Sequence, residues 1–135
     1  MQVIPISQGT STGRISSGTA LRRTIAGRRL AVSTSEGIYL LNPSEITYCE
    51  AESNYCHIAL RDGRKILVSK TLKVIEALLP ISGFFRVHQS HIVSLQDVRL
   101  IGHHEILMSN GDHIPMSRTR RTEFIARIRE CTVGL

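Results

Sequence analysis

The stretch Ile46–Val68, ITYCEAESNYCHIALRDGRKILV, decides the fold class. It holds three short runs rich in β-branched, aromatic and aliphatic residues, parted by Ser53-Asn54 and by Asp62-Gly63. Ile46–Glu52 and Tyr55–Leu60 alternate apolar with polar side chains, the period of a strand with one buried face. Asp-Gly supplies the positive φ that a tight hairpin needs, so Lys65–Val68 reads as a third strand folding back on the second.

Further strands are expected on both sides. Leu30–Ser33 and Gly37–Leu41 flank a turn, and Asn42-Pro43-Ser44 ends the second. At Thr71–Leu79 the period changes: Leu72, Ile75 and Leu79 share a helical stripe widened by Val74 and Leu78, and Pro80 stops it. Phe84–His88, Val98–Ile101, Glu105–Met108 and His113–Met116 return to strand character, with Asn110-Gly111 as another turn. Thr119–Arg129 reads as a terminal helix packed through Phe124, Ile125 and Ile128. The expected class is mainly β, with one central and one C-terminal helix.

Composition bounds the function. The chain has 135 residues, 41% of them apolar, enough for one domain with its own core. It has no apolar run long enough to cross a membrane, and Met1–Gly13 lacks the charge and apolar stretch of a secretory signal. Three cysteines, Cys49, Cys56 and Cys131, are too few for a disulfide framework, which points to the cytoplasm. The net charge of +6 is uneven: residues 1–35 carry +5, 36–85 carry −1 and 86–135 carry +2. Residues 1–28, rich in Ser, Thr and Gly, read as a flexible basic leader, residues 29–131 as the folded domain and 132–135 as a short tail.

Catalytic and metal chemistry find no footing in the sequence. His88 and His91 are spaced HxxH, but on a strand and its exit, where residues three apart point to opposite faces. Cys49 and Cys56 straddle the Ser53-Asn54 turn as candidate cross-strand neighbours, and no further cysteine pair completes a zinc site. A redox role for that pair is a minor expectation beside plain burial. Glu50 and Glu52 share a strand face, most simply a solvated one. No GxSxG motif or glycine-rich phosphate loop occurs. The chain is read as non-enzymatic and without a cofactor.

The basic residues are more informative. Ser117 can cap the terminal helix, yet Arg118, Arg120 and Arg121 follow it, where the helix dipole disfavours cations. An arriving phosphate reverses that penalty. Arg86, His88, Gln89, Ser90 and His91 crowd donors and acceptors behind Phe84-Phe85, and Ser69, Lys70 and Lys73 lie at the start of the central helix. Amide and guanidinium side chains such as Gln89 and Arg118 pair with adenine and guanine edges.

YCEAESNY (Tyr48–Tyr55), DGRKILVSKTLKVIEALLP (Asp62–Pro80), FFRVHQSHIVSL (Phe84–Leu95) and NGDHIPMSRTRR (Asn110–Arg121), in this order and spacing, make the chain resemble the LytTR family of bacterial DNA-binding domains. The resemblance runs over roughly residues 30–130. It implies an elongated arrangement of small antiparallel sheets whose loops, rather than a recognition helix, enter the DNA grooves. Carried over residue by residue, it implies base contacts by Asn54 or Tyr55, Gln89 and Arg118. It implies phosphate contacts by Ser69, Lys70, Arg86, His88, Ser90, His91, Arg120 and Arg121. His91 stands where Tyr or Phe is usual and Ser94 where Asn is usual. Most members carry a receiver domain ahead of this one, which the residues before Leu30 do not resemble; the expectation is then either a stand-alone regulator, or one controlled by a sensor or regulatory protein partner or by the basic leader. The implied protein is a cytoplasmic, two-component-type transcription regulator on double-stranded DNA, a monomer in solution that pairs on two direct repeats. The rival reading is a non-catalytic protein- or ligand-binding β-module whose basic face takes an acidic partner.

Overall fold

Adjacent strand residues point to opposite faces, so a strand in which neighbours are both buried must be covered on both sides. Tyr48-Cys49, Ala59-Leu60, Phe84-Phe85 and Ile92-Val93 are such buried pairs. The computed structural model, which describes residues 28–134, shows what covers them. Of the expected leader only Arg28 falls within these residues.

The elements are β1 (Leu30–Thr34), β2 (Gly37–Leu41), β3 (Ile46–Glu52), β4 (Tyr55–Leu60), β5 (Lys65–Val68), α1 (Leu72–Leu78), β6 (Phe84–His88), β7 (His91–Ser94), β8 (Val98–Ile101), β9 (Glu105–Met108), β10 (His113–Pro115) and α2 (Arg121–Glu130). They form a five-stranded sheet in the order β5-β4-β3-β7-β6, a three-stranded sheet β10-β9-β8 and the hairpin β1-β2. All pairings are antiparallel. This is the mainly-β architecture of small antiparallel sheets and two helices that the sequence predicts.

One face of the five-stranded sheet packs Ile46, Cys49, Ile58 and Ile92 against Leu30, Val32 and Leu41 of the β1-β2 hairpin and Leu72, Ile75 and Leu79 around α1. The other packs Tyr48, Phe85, Val87 and Val93 against Ile106, Met108 and Ile114 of the three-stranded sheet and Phe124 and Ile128 of α2. Polar ties hold the second layer in place. Arg61 pairs with the buried carboxylate of Asp97, and its Nε and a terminal nitrogen donate to the Ser44 carbonyl at 3.0 and 2.7 Å. The Tyr48 hydroxyl donates to Asp112 at 2.9 Å.

Three local expectations need correction. His91–Ser94, which the sequence reading left without an element, is the strand β7, bonded to β3 on one side and β6 on the other. Its few residues are too short a run to display a period of two. Val74 and Leu78 do not widen the α1 stripe: each is 43% exposed, because the short helix touches the sheet only along Leu72, Ile75 and Leu79. The terminal helix starts at Arg121, not Thr119. A 3-10 turn at Arg118–Arg120 precedes it, and the Ser117 hydroxyl meets Thr119 Oγ1 at 2.9 Å instead of capping. Thr71 does cap α1, its hydroxyl accepting from Val74 N at 3.4 Å.

Phe124 is fully buried between α2 and the sheet. Phe124→Ala is expected to lower unfolding free energy by about 3–5 kcal/mol, while Val74→Ser, on the exposed side of α1, stays within about 0.5 kcal/mol. Urea denaturation of both variants checks this contrast.

Candidate nucleic-acid interface

An antiparallel sheet brings alternate connections to the same end. Glu50 pairs with both His57 and His91, and Cys56 with Val68, so the β3–β4 turn, the β6–β7 turn and the exit of β5 lie side by side at one end of the five-stranded sheet. Those segments carry Asn54 and Tyr55, Gln89 and Ser90, and Ser69 and Lys70. The Ala51 amide donates to the Ser90 carbonyl at 2.8 Å, which ties the first two turns together. A fourth segment joins them: Ser117 N donates to the Val87 carbonyl at 2.8 Å and Arg120 Nε to the Arg86 carbonyl at 3.1 Å. The turn bearing Arg118 is thereby docked on the end of β6.

Asn54, Tyr55, Ser69, Lys70, Gln89 and Arg118 are exposed. Ser53 takes a positive φ of 57° at the start of its turn, a conformation uncommon for a side-chain-bearing residue. Arg118 and Lys70 make no side-chain hydrogen bond or ion pair among the described residues, so both heads are available. Other basic side chains are braced. Arg86 donates to the Gln89 carbonyl at 2.6 Å and meets Glu76 at 3.3 Å, which fixes the Gln89 turn from beneath. Arg120 lies over the Phe85 ring, 4.9 Å from its centroid, and pairs with Glu123 at 3.4 Å. Arg121 Nε donates to the Gly102 carbonyl at 3.2 Å. The structure thus brings together most of the residues singled out from the sequence.

The histidines depart from expectation. The Gln89-Ser90 turn reverses the chain, so His88 and His91 are cross-strand partners with ring centroids 6.0 Å apart, not residues on opposite faces. His91 is only 7% exposed, which takes it off the surface where a phosphate contact was expected. The cause is the place of β7 inside a sheet covered on both faces, which buries all four of its residues. Burial holds the His91 pKa below the ordinary histidine value, against the partial help of Glu50 at 3.6 Å. Ser90 Oγ lies 2.8 Å from Nδ1 of both histidines, and Ser90 N donates to His88 Nδ1 at 3.1 Å. Among the described residues no three His, Cys, Asp or Glu side chains converge as a metal site.

Cys49 pairs with Ile58 and Cys56 with Ala51, so the two thiols are diagonal neighbours rather than direct partners. Both are buried and free, and burial pushes both thiols up, away from the reactive thiolate. The sequence reading missed the Arg61–Asp97 tie and the placing of Glu50 between two histidines. Both are cross-strand relations between residues distant in the chain, for which period-two alternation gives only the face.

The buried His91 has a stability consequence with a definite sign. Above the ordinary value near 6.5 both folded and unfolded chains hold it neutral. As pH falls below about 6.5 the unfolded chain takes the proton first, so stability declines until the pH passes the lower folded value. His91→Phe should therefore lose less stability than the wild type between about pH 8 and about pH 5 in urea titrations.

Known proteins share this sequence pattern and this fold. The family model of the LytTr DNA-binding domain matches residues 36–129. The sensory transduction protein LytT of Bacillus subtilis is 34% identical over 100 residues, covering 70% of this chain and 41% of its own length. LytT of Bacillus cereus is 28% identical over 112 residues, 78% of this chain and 45% of its own. The chain spans less than half the length of these curated relatives. A solved LytTr DNA-binding domain from Bacillus cereus superposes with a TM-score of 0.65 at 24% identity, over 75% of this chain and 96% of that one, which shows a shared fold. With the family model matching residues 36–129, well over half of the chain, the chain belongs to the LytTR family of DNA-binding domains.

Proposed function

We propose that this domain is a sequence-specific transcription regulator that meets duplex DNA with the end of its five-stranded sheet. The observation that carries the reading is the convergence of four segments there, with Arg118 exposed and unengaged among the described residues. Gln89 and Arg118 read base edges, and Asn54 or Tyr55 reads from the neighbouring turn. Ser69, Lys70, Arg86, His88, Arg120 and Arg121 set the register on phosphates, while Ser90, whose amide and hydroxyl face the two histidines, braces the turn rather than contacting a phosphate. His91, being buried, acts through its neighbours. The Ser117–Arg121 segment contributes as a docked turn, with Arg118 and Arg120 ahead of α2 and Arg121 at its first position, rather than as a capped helix end.

The regulatory role is supported by the relatives' description as sensory transduction proteins. We further propose a cytoplasmic, non-catalytic protein that is a monomer in solution, pairs on two direct repeats and takes its signal from a sensor or regulatory partner. Among the described residues no helix is long and apolar enough to cross a membrane.

Fluorescence anisotropy on selected and scrambled duplexes, titrated with salt, tests the reading. Selected DNA should bind at least ~10³-fold tighter than scrambled. Arg118→Ala should cost about 1–3 kcal/mol on the selected duplex and relax preference at one base position. Lys70→Ala should weaken both duplexes alike and lower the salt slope by about one. Identical behaviour of the two variants would refute the assigned roles. Shallow, salt-sensitive binding to both duplexes by the wild type would favour the β-module with an acidic partner.

A further inference from the structure

A row of titratable side chains crosses the sheet directly behind the reading turns. His57 on β4 pairs with Glu50 on β3, Glu50 with His91 on β7, and His91 with His88 on β6. The turns at Asn54 and at Gln89 close the two hairpins to which this row belongs.

Hydrogen-bond direction assigns the protons within the row. Ser90 N–H donates to His88 Nδ1, so that nitrogen carries its lone pair and neutral His88 holds its hydrogen on Nε2. Ser90 Oγ, 2.8 Å from the same nitrogen, must then give its single hydrogen to it. The hydroxyl is left to accept from His91, which places a hydrogen on His91 Nδ1. In neutral His91 the bare Nε2 therefore faces Glu50 Oε2 across 3.6 Å, lone pair against carboxylate. A proton on that nitrogen would turn the contact into a charge-assisted hydrogen bond. His88 cannot take this role without breaking the two bonds its Nδ1 accepts.

The surroundings of His91 pull in opposite directions, with burial the strongest influence. Glu50 favours a cation there, while burial, His88 and the more distant Lys65 oppose it. Tyr48, its ring centroid 6.4 Å from His91, spends its hydroxyl on Asp112. His57 is paired with Glu52, so it leaves Glu50 to His91. In the free protein burial prevails and His91 stays neutral near pH 7. A phosphodiester against the Gln89–Ser90 turn adds the negative potential needed to change that.

We infer that His91 is a proton-loaded positioning residue: duplex binding draws one proton from solvent onto its Nε2, closes the bond to Glu50 and locks the turn that presents Gln89. This rests on the DNA-binding reading above. One proton is taken up per domain bound, and no covalent bond other than the new N–H forms. By linkage, specific affinity must rise as pH falls from the His91 pKa of the complex to the lower one of the free protein, by up to about tenfold for each unit that binding raises it.

The experiment uses the full chain at fixed ionic strength. Anisotropy on selected and scrambled duplexes is measured from about pH 8 to about pH 5.5, with calorimetry in two buffers of different ionisation enthalpy to count protons. Wild type should tighten on the selected duplex by about threefold to tenfold as pH falls, with proton uptake. His91→Phe, which keeps an apolar ring in the buried position, should lose this increment, so that its affinity no longer rises as pH falls, whatever its affinity at high pH. Glu50→Gln should lose it too. Retention of the full pH dependence by His91→Phe would overturn the inference. Nitrogen NMR of the histidines in DNA-free wild type provides a second readout, independent of any variant's folding. A hydrogen on His88 Nε2 and on His91 Nδ1 supports the assignment, and a hydrogen on His88 Nδ1 overturns it. Equal wild-type binding to both duplexes would defeat the DNA reading itself, and the NMR result would still decide the proton assignment.

Discussion

Covering both faces of the five-stranded sheet is the constraint on which the rest of the structure depends. Phe84 belongs to one core and Phe85 to the other, and Ile92 and Val93 divide in the same way. A sheet packed on one face alone would leave half of these side chains in water, at a cost of roughly 1.5–3 kcal/mol for each large one. The β1-β2 hairpin and α1 therefore have to close one side, and the three-stranded sheet and α2 the other. The Arg61–Asp97 pair and the Tyr48–Asp112 bond sit where these layers meet and fix their register.

That layering also creates the candidate site. With both sheet faces occupied, the chain ends of the strands are what remains for a large ligand. The antiparallel order β5-β4-β3-β7-β6 sends the β3–β4 turn, the β6–β7 turn and the end of β5 to one edge. The segment before α2 is held to the same edge through Val87 and Arg86. Turns supported in this way combine exposed polar tips with a rigid base, so little ordering entropy remains to be lost on binding. The positive charge of the region is sparse, and much of it is engaged: Arg86, Arg120 and Arg121 spend donors on backbone carbonyls. Under the proposed function, sequence preference comes from a few free heads such as Arg118 rather than from an overall basic surface.

Buried polar chemistry beneath the turns is the second consequence of the same packing. β7 is an inner strand, so His91 is enclosed by its neighbours and answers to Glu50, Ser90 and His88 rather than to solvent. In such surroundings each hydrogen has few possible positions, and one proton more or less alters several contacts together.

Elements whose signals are local were legible along the chain. Asp62-Gly63 and Asn110-Gly111 specify turns because glycine tolerates positive φ, and Gly63 and Gly111 do adopt it, at 96° and 94°. The alternation in β3 and β4, the Leu72, Ile75 and Leu79 stripe and the apolar line of α2 were equally legible, since each depends on one element's own geometry. So were the residue types suited to phosphate and base edges at Lys70, Gln89 and Arg118. The packed fold made His91–Ser94 a strand, because a run so short acquires strand character from its partners on both sides. It also decided that Ser117 docks on β6 instead of capping a helix, that His88 and His91 face each other, and that Glu50 lies between two histidines. These are relations across strands, set by register and by which layers cover the sheet, and neither can be read from the spacing along one chain segment.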